Sequence, residues 1–94
     1  MKATKIKMKP GCGNSNKLVE IDEIYIEGCD NPGFFKKAVL HDYVKEHPGT
    51  IQVNIGPWYP EVVPATSPAP YYEKYVRSAP NDSTNDNLLK LPRV

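Results

Sequence analysis

The chain has 94 residues, a formal net charge of +1, 24% charged residues and 39% hydrophobic ones. These values indicate one small domain, spanning residues 1–94, with a single modest core. They disfavour a nucleic-acid-binding domain with a large basic excess, a membrane protein, since no apolar run reaches ~18 residues, and a disulfide scaffold, since the chain has two cysteines.

Two strands are predicted at the start of the chain. Residues 3–9 alternate lysine with apolar residues, which is typical of a half-buried strand. Residues 18–27 are rich in β-branched side chains, and their apolar parity changes at residues 22–23, which predicts a bulge. Residues 1–17 carry five lysines and no acid, whereas residues 18–30 carry five acids and no base. A lysine-rich arm would suggest nucleic-acid binding, but we favour an antiparallel hairpin in which the opposite charges face each other.

A helix is predicted after the second strand. Asn31 is suited to cap it and Pro32 to occupy its first helical position, and residues 48–49, Pro-Gly, would end it. The apolar residues that share one half of this helix are Phe35, Val39, Leu40, Tyr43 and Val44. Residues 50–55 then alternate again and predict another strand.

Proline dominates the second half of the chain. Residues 57–70 contain five of the ten prolines, so this region is predicted to form an edge strand near residues 61–63 and an extended loop. Residues 72–76 return to a strand pattern. The order of these elements predicts an α+β fold, with a small antiparallel sheet of about 4–5 strands and one amphipathic helix packed on one face.

The cysteine and histidine residues form no recognisable metal site. The spacing of Cys12, Cys29, His41 and His47 matches no close-paired zinc pattern, so no metal and no cofactor is predicted. A hairpin would separate the two cysteines by about 30 Å, too far for a disulfide. Cys29 lies just before the predicted helix, a position that can activate a thiol, although we favour an inert, partly buried thiol.

The start of the predicted helix is a candidate anion site. A helix N-terminus presents free N–H groups to an anion, and here Gly33, Lys36 and Lys37 lie in its first turns. No glycine-rich phosphate loop precedes them. The interpretation that we favour is a capped helix whose lysines are simply solvated.

Aromatic residues cluster around the proline-rich loop and provide a candidate binding surface. The residues of this surface are Trp58, Tyr59, Tyr71, Tyr72, Tyr75 and Arg77. Closure of one end of the core by these rings explains the same pattern and is the interpretation that we favour. Pro57 and Pro60 also form a P-x-x-P, but the basic residue that usually accompanies such a ligand is missing.

The end of the chain carries a recognisable signature. Tyr75-Val76-Arg77-Ser78 is followed by the polar run Asn81–Asn87 and by Leu88-Leu89-Lys90-Leu91-Pro92. This pattern, Tyr-[Leu/Val]-Arg-[Ser/Thr] and then Asn-Leu-x-x-Leu-Pro, resembles the C-terminal signature of a family of small, uncharacterised bacterial and archaeal domains, a domain of unknown function. The resemblance implies a small α+β domain and no known activity.

The same residues suggest a structural clasp at the C-terminus. Three leucines close a polar segment that would otherwise fray, so we expect them to dock on the core. Arg77 is the natural ion-pair partner of Asp82 or Asp86, and Asn87 is suited to cap the final turn. The candidate clasp residues are Asp82, Asp86, Asn87, Leu88, Leu89 and Leu91.

No arrangement for nucleophilic, acid–base or metal catalysis is apparent, so we expect a non-enzymatic protein. The first hypothesis is a binding or interaction module that uses the proline/aromatic loop and the C-terminal clasp, with a protein or peptide as partner. The alternative is a nucleic-acid-associated protein that uses the lysine-bearing first strand. No membrane association is expected. The N-terminal residues lack a signal-peptide core, which predicts a cytoplasmic location.

Overall fold

A computed structural model describes residues 1–79 and 86–94. A short 3₁₀ turn, Leu18–Glu20, precedes the second strand, and another, Asn87–Lys90, lies near the C-terminus. The strands and the helix of the described residues are β1 (Lys2–Met8), β2 (Ile21–Glu27), β3 (Gly33–Lys36), α1 (Lys37–Glu46), β4 (Gln52–Val53), β5 (Val62–Thr66) and β6 (Lys74–Ser78).

The strands form a four-stranded sheet, in the order β3-β2-β1-β4, and a separate two-stranded ribbon of β5 and β6. The predicted α+β class with one helix is confirmed. β2 runs antiparallel to both β1 and β3, as expected for a hairpin. β4 instead runs parallel to β1, so the sheet is mixed. The chain returns from the helix to the start of β1, where Gln52 donates its backbone N–H to the carbonyl of Met1 at 3.0 Å.

The predicted bulge in the second strand is confirmed. The register of β1 and β2 shifts between Lys7, which faces Glu23, and Met8, which faces Ile21, so Asp22 is the extra residue. This shift restores a single inward face on β2. The sheet residues that this arrangement buries are Ala3, Ile6, Met8, Ile21, Ile24 and Ile26.

The predicted start of the helix at Asn31-Pro32 is wrong. Residues 33–36 form β3 and pair with β2, and the helix begins at Lys37. Pairing satisfies the backbone of this segment and lets its two phenylalanines alternate. Phe34 packs edge-on against Tyr25 across the ladder, with ring centroids 5.1 Å apart, while Phe35 faces inward. Such cross-strand aromatic pairs stabilise a strand, and they outweigh a local capping signal.

The buried face of α1 differs from the predicted one. Leu40 and Val44 are buried as expected, but Lys37 and His41 complete the buried face. Val39 is 56% exposed and Tyr43 38% exposed. The helix contacts mainly the β5–β6 ribbon and touches β2 and β3 much less. The side of α1 that points toward β3 is therefore left partly uncovered.

The C-terminus completes the sheet. Ile6 of β1 donates its N–H to the carbonyl of Pro92 at 2.9 Å and accepts the N–H of Val94 at 3.0 Å. Leu88 and Leu91 are buried in the core. Residues 86–94, the described part of the predicted C-terminal clasp, are thus packed against the core and β1. No helix among the described residues is long and apolar enough to cross a membrane.

Candidate binding groove

A groove opens between α1 and the end of the sheet at which β1 begins and β2 ends. Its volume is about 320 Å³. The walls come from the helix and from β3, and the floor from the sheet and the segment before β4. The lining residues are Met1, Ile26, Cys29, Asp30, Asn31, Phe35, Val39, Leu40, Tyr43 and Ile51. The groove is thus predominantly apolar, with Asp30 at its rim.

The groove exists because the apolar face formed by β3 and α1 is wider than the surface of the sheet and ribbon that packs against it. Phe35, Val39 and Tyr43 follow each other at intervals of four residues, which places Val39 and Tyr43 on one side of α1 and Phe35 next to them on β3. Because the helix packs mainly against the β5–β6 ribbon, this stripe is left partly uncovered. Exposed apolar surface that is continuous and rimmed by polar residues is typical of an interaction site. The sequence also places these three residues on one face, but it predicts that this face is buried in the core.

The two cysteines lie at opposite ends of the β1–β2 hairpin, as predicted. Both are free thiols. Cys29 follows β2 and lines the groove. It precedes a strand and not a helix, so the helix-terminus argument for an activated thiol no longer applies.

The other cysteine, Cys12, lies in the loop after β1 and outside the groove. Its thiol donates a hydrogen bond to a carboxylate oxygen of Glu20 at 2.8 Å, and Ser15 donates to the other oxygen. The hydrogen bond to Glu20, together with burial, raises the pKa of the Cys12 thiol. The hydrogen bonds from Cys12 and Ser15 lower the pKa of the Glu20 carboxyl. Cys12 is therefore held as a proton donor and not as a thiolate.

The residues of the predicted anion site are brought to different places. Gly33 and Lys36 belong to β3, and Lys36 is paired with Asp22 at 3.3 Å. Lys37 occupies the first position of α1, but its side chain is buried. Its ammonium donates to the carbonyl of Val19. A helix N-terminus with free lysines, on which the predicted site depended, is thus not formed at these residues.

Lys37 takes part in a cluster of charges that ties three parts of the chain together. Glu73, just before β6, is 3.1 Å from Lys37 and 3.0 Å from Lys9, the residue after β1. Hydrogen bonds from Lys9 and then Lys37 lower the pKa of Glu73, and the bond to Glu73 raises the pKa of Lys9. Burial lowers the pKa of Lys37. The cluster explains how the helix buries a lysine at its start.

A second polar cluster joins α1 to the ribbon. The Nδ1 atom of His41 is 2.9 Å from the carboxylate of Asp42, and Lys74 of β6 lies 3.1 Å from the same oxygen. Hydrogen bonds from His41 and Lys74 lower the pKa of Asp42. Among the described residues, no group of three histidine, cysteine or acidic side chains is arranged to hold a metal ion.

The aromatic residues of the predicted binding surface are divided between the two ends of the ribbon. Trp58 and Tyr59 precede β5, whereas Tyr71 and Tyr72 lie in the turn that follows it. β5, which lies between the two pairs along the chain, is itself about 13 Å long on the usual rise per residue. Trp58 is 82% exposed and Tyr71 83% exposed. Tyr75 lies on β6 between the two ends. The residues thus occupy several positions along the ribbon.

The second residue of each aromatic pair has a left-handed backbone, with φ of 44° at Tyr59 and 47° at Tyr72. This conformation is strained for a bulky side chain. At Tyr59 the surroundings help to hold it. The ring packs over Gly56, and the ammonium of Lys2 lies 4.0 Å from the ring centroid. Tyr59 is thereby tied to the sheet, and this end of the ribbon is anchored.

The clasp residues form a connected network at the end of β6. Asp86 caps the final 3₁₀ turn by accepting the N–H of Leu88 at 2.9 Å, and it also accepts the N–H of Ser78 at 3.0 Å. The cap is therefore Asp86 and not Asn87, which is buried and bonded to Ser78. Leu89 is half-buried against the core. Asp82, the other predicted partner of Arg77, lies outside the described residues. Arg77 itself is exposed.

Comparison with known proteins identifies a family. The family described as "Protein of unknown function (DUF3892)" matches residues 2–92. The chain belongs to this family. The match covers every described strand and the helix, so the clasp residues and all lining residues of the groove except Met1 lie within the DUF3892 domain. Comparisons with curated proteins and with solved structures found no match.

Proposed function

We propose that this DUF3892 protein is a non-enzymatic binding module and that its ligand-binding surface is the groove between α1 and β3. The observation that carries the proposal is an apolar stripe, formed by the half-buried Phe35 and the exposed Val39 and Tyr43, along a groove of about 320 Å³. Water in contact with such a stripe is displaced favourably when an apolar group binds. The volume falls at the lower end of the ~300–1,000 Å³ of typical ligand pockets.

The perturbed titratable groups support a structural role in preference to catalysis. Cys12 is engaged by Glu20, Lys37 by Glu73 and Asp42 by Lys74. Each of these contacts joins two segments of the fold, and none of them lines the groove. Perturbed pKa values mark an active site mainly when the groups converge in a cleft. Here five of the groups, Lys9, Cys12, Glu20, Lys37 and Glu73, lie near one another where β1 ends and α1 begins, and Asp42 lies apart from them. Both sets join segments of the fold outside the lining of the groove.

The groove is a better candidate surface than the combination of aromatic loops and clasp. Leu88 and Leu91 are buried in the core, so they offer no surface to a partner. Trp58 and Tyr71 are exposed at opposite ends of β5, so a single small partner would contact one pair of rings. The groove, in contrast, brings together apolar residues from the helix, from β3 and from the floor of the sheet.

Disulfide tethering at Cys29 tests the proposal, because this thiol lines the groove. The protein is equilibrated under partly reducing conditions with small aliphatic and aromatic thiols, and in parallel with a hydroxylated thiol of similar reactivity. We expect the apolar probes to label Cys29 more completely than the polar probe. Cys12, outside the groove, should show no such preference. Mass spectrometry of the digested protein measures both positions in one sample.

Two matched variants complete this experiment. Val39→Asp places a charge in the groove and should remove the preference of Cys29 for apolar probes. Ala38→Asp places the same charge on the neighbouring exposed position of α1 and should leave the preference intact. Equal labelling of Cys29 by apolar and polar probes in the unmodified protein would overturn the proposal.

A nucleic-acid-associated protein is the second candidate, and the exposed face of the sheet supports it. Lys5, Lys7 and Lys36 lie on that face with Phe34. Their charges are partly engaged, since Lys7 is 3.7 Å from Glu23 and Lys36 is paired with Asp22. The ammonium of Lys5 lies 5.1 Å from the centroid of the Tyr25 ring. This neutralisation makes nucleic acid the weaker proposal.

We also propose that the protein works in the bacterial cytoplasm. Cys12 and Cys29 are free thiols, which suits a reducing compartment. Alkylation of both thiols in intact cells, followed by fractionation, tests this location. Recovery of the protein outside the cytoplasmic fraction would contradict it.

A further inference from the structure

The free edge of β3 lies next to the groove. β3 is the outermost strand of its sheet, so alternate peptide groups of Gly33–Lys36 point away from β2. Proteins usually protect such an edge with a charge, a proline or a covering segment. The lysine of this strand, Lys36, is drawn back onto Asp22 of β2 at 3.3 Å. Within residues 1–79 and 86–94, no further strand pairs with the centre of the edge, at Phe34 and Phe35.

The edge and the groove are parts of one surface. β3 continues without a break into α1, so the strand and the helix form the two walls of a cleft. Phe35 points into this cleft and lines the groove. Side chains alternate along a strand. A segment that paired with β3 would therefore place the residue opposite Phe35, and every second residue beyond it, over Val39 and Tyr43.

The rim of the groove is acidic. Asp30 lines the groove, and Glu27 and Glu46 lie outside the lining, at the ends of β2 and α1. The N-terminal ammonium of Met1, which also lines the groove, is bonded to the carbonyl of Thr50 at 3.0 Å. None of these acids takes part in an ion pair within residues 1–79 and 86–94. Lys2, which faces Glu27 in the ladder, is directed instead onto the ring of Tyr59. The charges at the rim therefore favour a partner that carries basic residues.

We propose that the groove binds an extended peptide segment, which adds to β3 as a further strand, inserts an apolar side chain between Phe35 and Val39, and places a basic side chain beside Asp30. The inference rests on the proposed function and specifies its ligand. Main-chain bonds to an edge strand provide affinity in this mode, and pockets for alternate side chains provide specificity. A groove of about 320 Å³ accommodates one or two side chains, which suits a strand better than the long apolar face of a helix. Pairing of two copies through β3 would bring two acidic rims to one interface, which disfavours a second copy as the occupant.

The probe for this proposal is a fluorescent octapeptide that is blocked at both ends and alternates lysine with leucine or valine. Its binding to the full chain is followed by fluorescence anisotropy, and the backbone amide signals of the protein by NMR. We expect saturable binding, with the largest shifts at residues 33–36. A peptide with the same side chains and N-methylated peptide groups cannot donate the strand hydrogen bonds. It should bind weaker by about tenfold or more, since each lost bond reduces the affinity.

Variants of the protein separate the contributions. Asp30→Asn should lower the affinity for the lysine peptide several-fold and should not change the affinity for a peptide with threonine in place of lysine. Val39→Asp should abolish binding of both peptides, whereas Ala38→Asp should bind both normally. Thermal melting of each variant, measured first, confirms that the compared proteins are folded.

The outcomes distinguish this inference from the proposed function. Equal affinity for the normal and N-methylated peptides would overturn strand addition while leaving a groove that binds apolar groups. Absence of peptide binding together with apolar preference at Cys29 would have the same meaning. If the protein elutes as a dimer that Val39→Asp converts to a monomer, and no peptide binds, a second copy occupies the groove and the inference is wrong. Failure of both the peptide and the tethering experiments would reject the groove altogether.

Discussion

The hydroxyl of Ser78 accepts two hydrogen bonds from Asn87, one from the backbone N–H at 3.2 Å and one from the side-chain amide at 3.3 Å. Both residues are buried. Ser78 ends β6 and Asn87 begins the final 3₁₀ turn, so these bonds join the two segments on which the sequence resemblance depends. The simplest explanation of the paired segments is a structural clasp that positions Leu88 and Leu91 in the core.

Ser78→Ala should destabilise the protein. The substitution leaves two buried N–H groups of Asn87 without this acceptor, and a lost buried partner costs about 1–3 kcal/mol. Arg77→Ala, at the neighbouring exposed position, is the matched control and should change the free energy of unfolding by no more than about 0.5 kcal/mol. Urea denaturation measures both values. Equal stability of the two variants would show that the Ser78–Asn87 contact does not hold the clasp.

Deletion of residues 87–94 should lower the melting temperature by more than about 10 °C. The deletion removes Leu88 and Leu91 from the core, and burial of two leucines contributes ~3–6 kcal/mol before the entropy of ordering is subtracted. It also removes both backbone bonds to Ile6. Circular dichroism follows the melting. If the truncated chain does not fold, Leu88→Ala, with an expected cost of about 2–5 kcal/mol, provides the measurement. Unchanged melting of both variants would contradict the clasp.

The strand pattern of the first half could be predicted because it depends on local alternation. Lysines alternate with apolar residues along β1, and the parity change at Asp22 is visible in the sequence of β2. The start of α1 could not be predicted in the same way. Asn31 and Pro32 provide a local capping signal, but the segment that follows finds a partner in β2, and pairing with a distant strand overrides local preference.

The groove could not be predicted from the sequence for a related reason. Val39 and Tyr43 are apolar residues at helical spacing, and such spacing normally indicates a buried face. Which side of a helix is covered depends on the element that packs against it. Here the β5–β6 ribbon covers the side of Lys37 and His41, whose polar groups are compensated by Glu73 and Asp42. The exposure of Val39 and Tyr43 thus depends on the tertiary packing of α1 and not on its sequence pattern.

Cys12 should react slowly with iodoacetamide at neutral pH, because its raised pKa leaves little thiolate. Glu20→Gln removes the negative charge that holds the thiol proton and should increase the rate several-fold. Cys29 in the same molecule is an internal control, and its rate should not change. Timed alkylation with mass spectrometry measures both thiols. An unchanged rate at Cys12 in the variant would show that Glu20 does not control this thiol.

Protonation of Glu73 should make the protein less stable in acid. Its carboxyl has a pKa below the ordinary 4.5 because of Lys9 and Lys37, so the folded state binds a proton less readily than the unfolded state does. The stabilisation is complete above pH 4.5 and is lost as the pH falls from there through the folded-state pKa. Glu73→Gln should therefore flatten the dependence of stability on pH below 4.5. Glu46→Gln, an exposed position on α1, should keep the dependence of the unmodified protein, and identical profiles for the two variants would contradict the assignment.

Binding to generic duplex DNA should remain non-specific, with a dissociation constant of ~10⁻⁴–10⁻⁶ M at about 150 mM salt. The reason is that Glu23 and Asp22 neutralise Lys7 and Lys36 on the exposed face of the sheet. Glu23→Gln releases Lys7 and should increase the affinity modestly at low salt, whereas Lys7→Ala should reduce it slightly. Fluorescence anisotropy over a series of salt concentrations measures both the affinity and the number of phosphate contacts. Sub-micromolar binding with a steep salt dependence would favour the nucleic-acid candidate over the groove, because apolar contacts at Val39 and Tyr43 respond weakly to ionic strength.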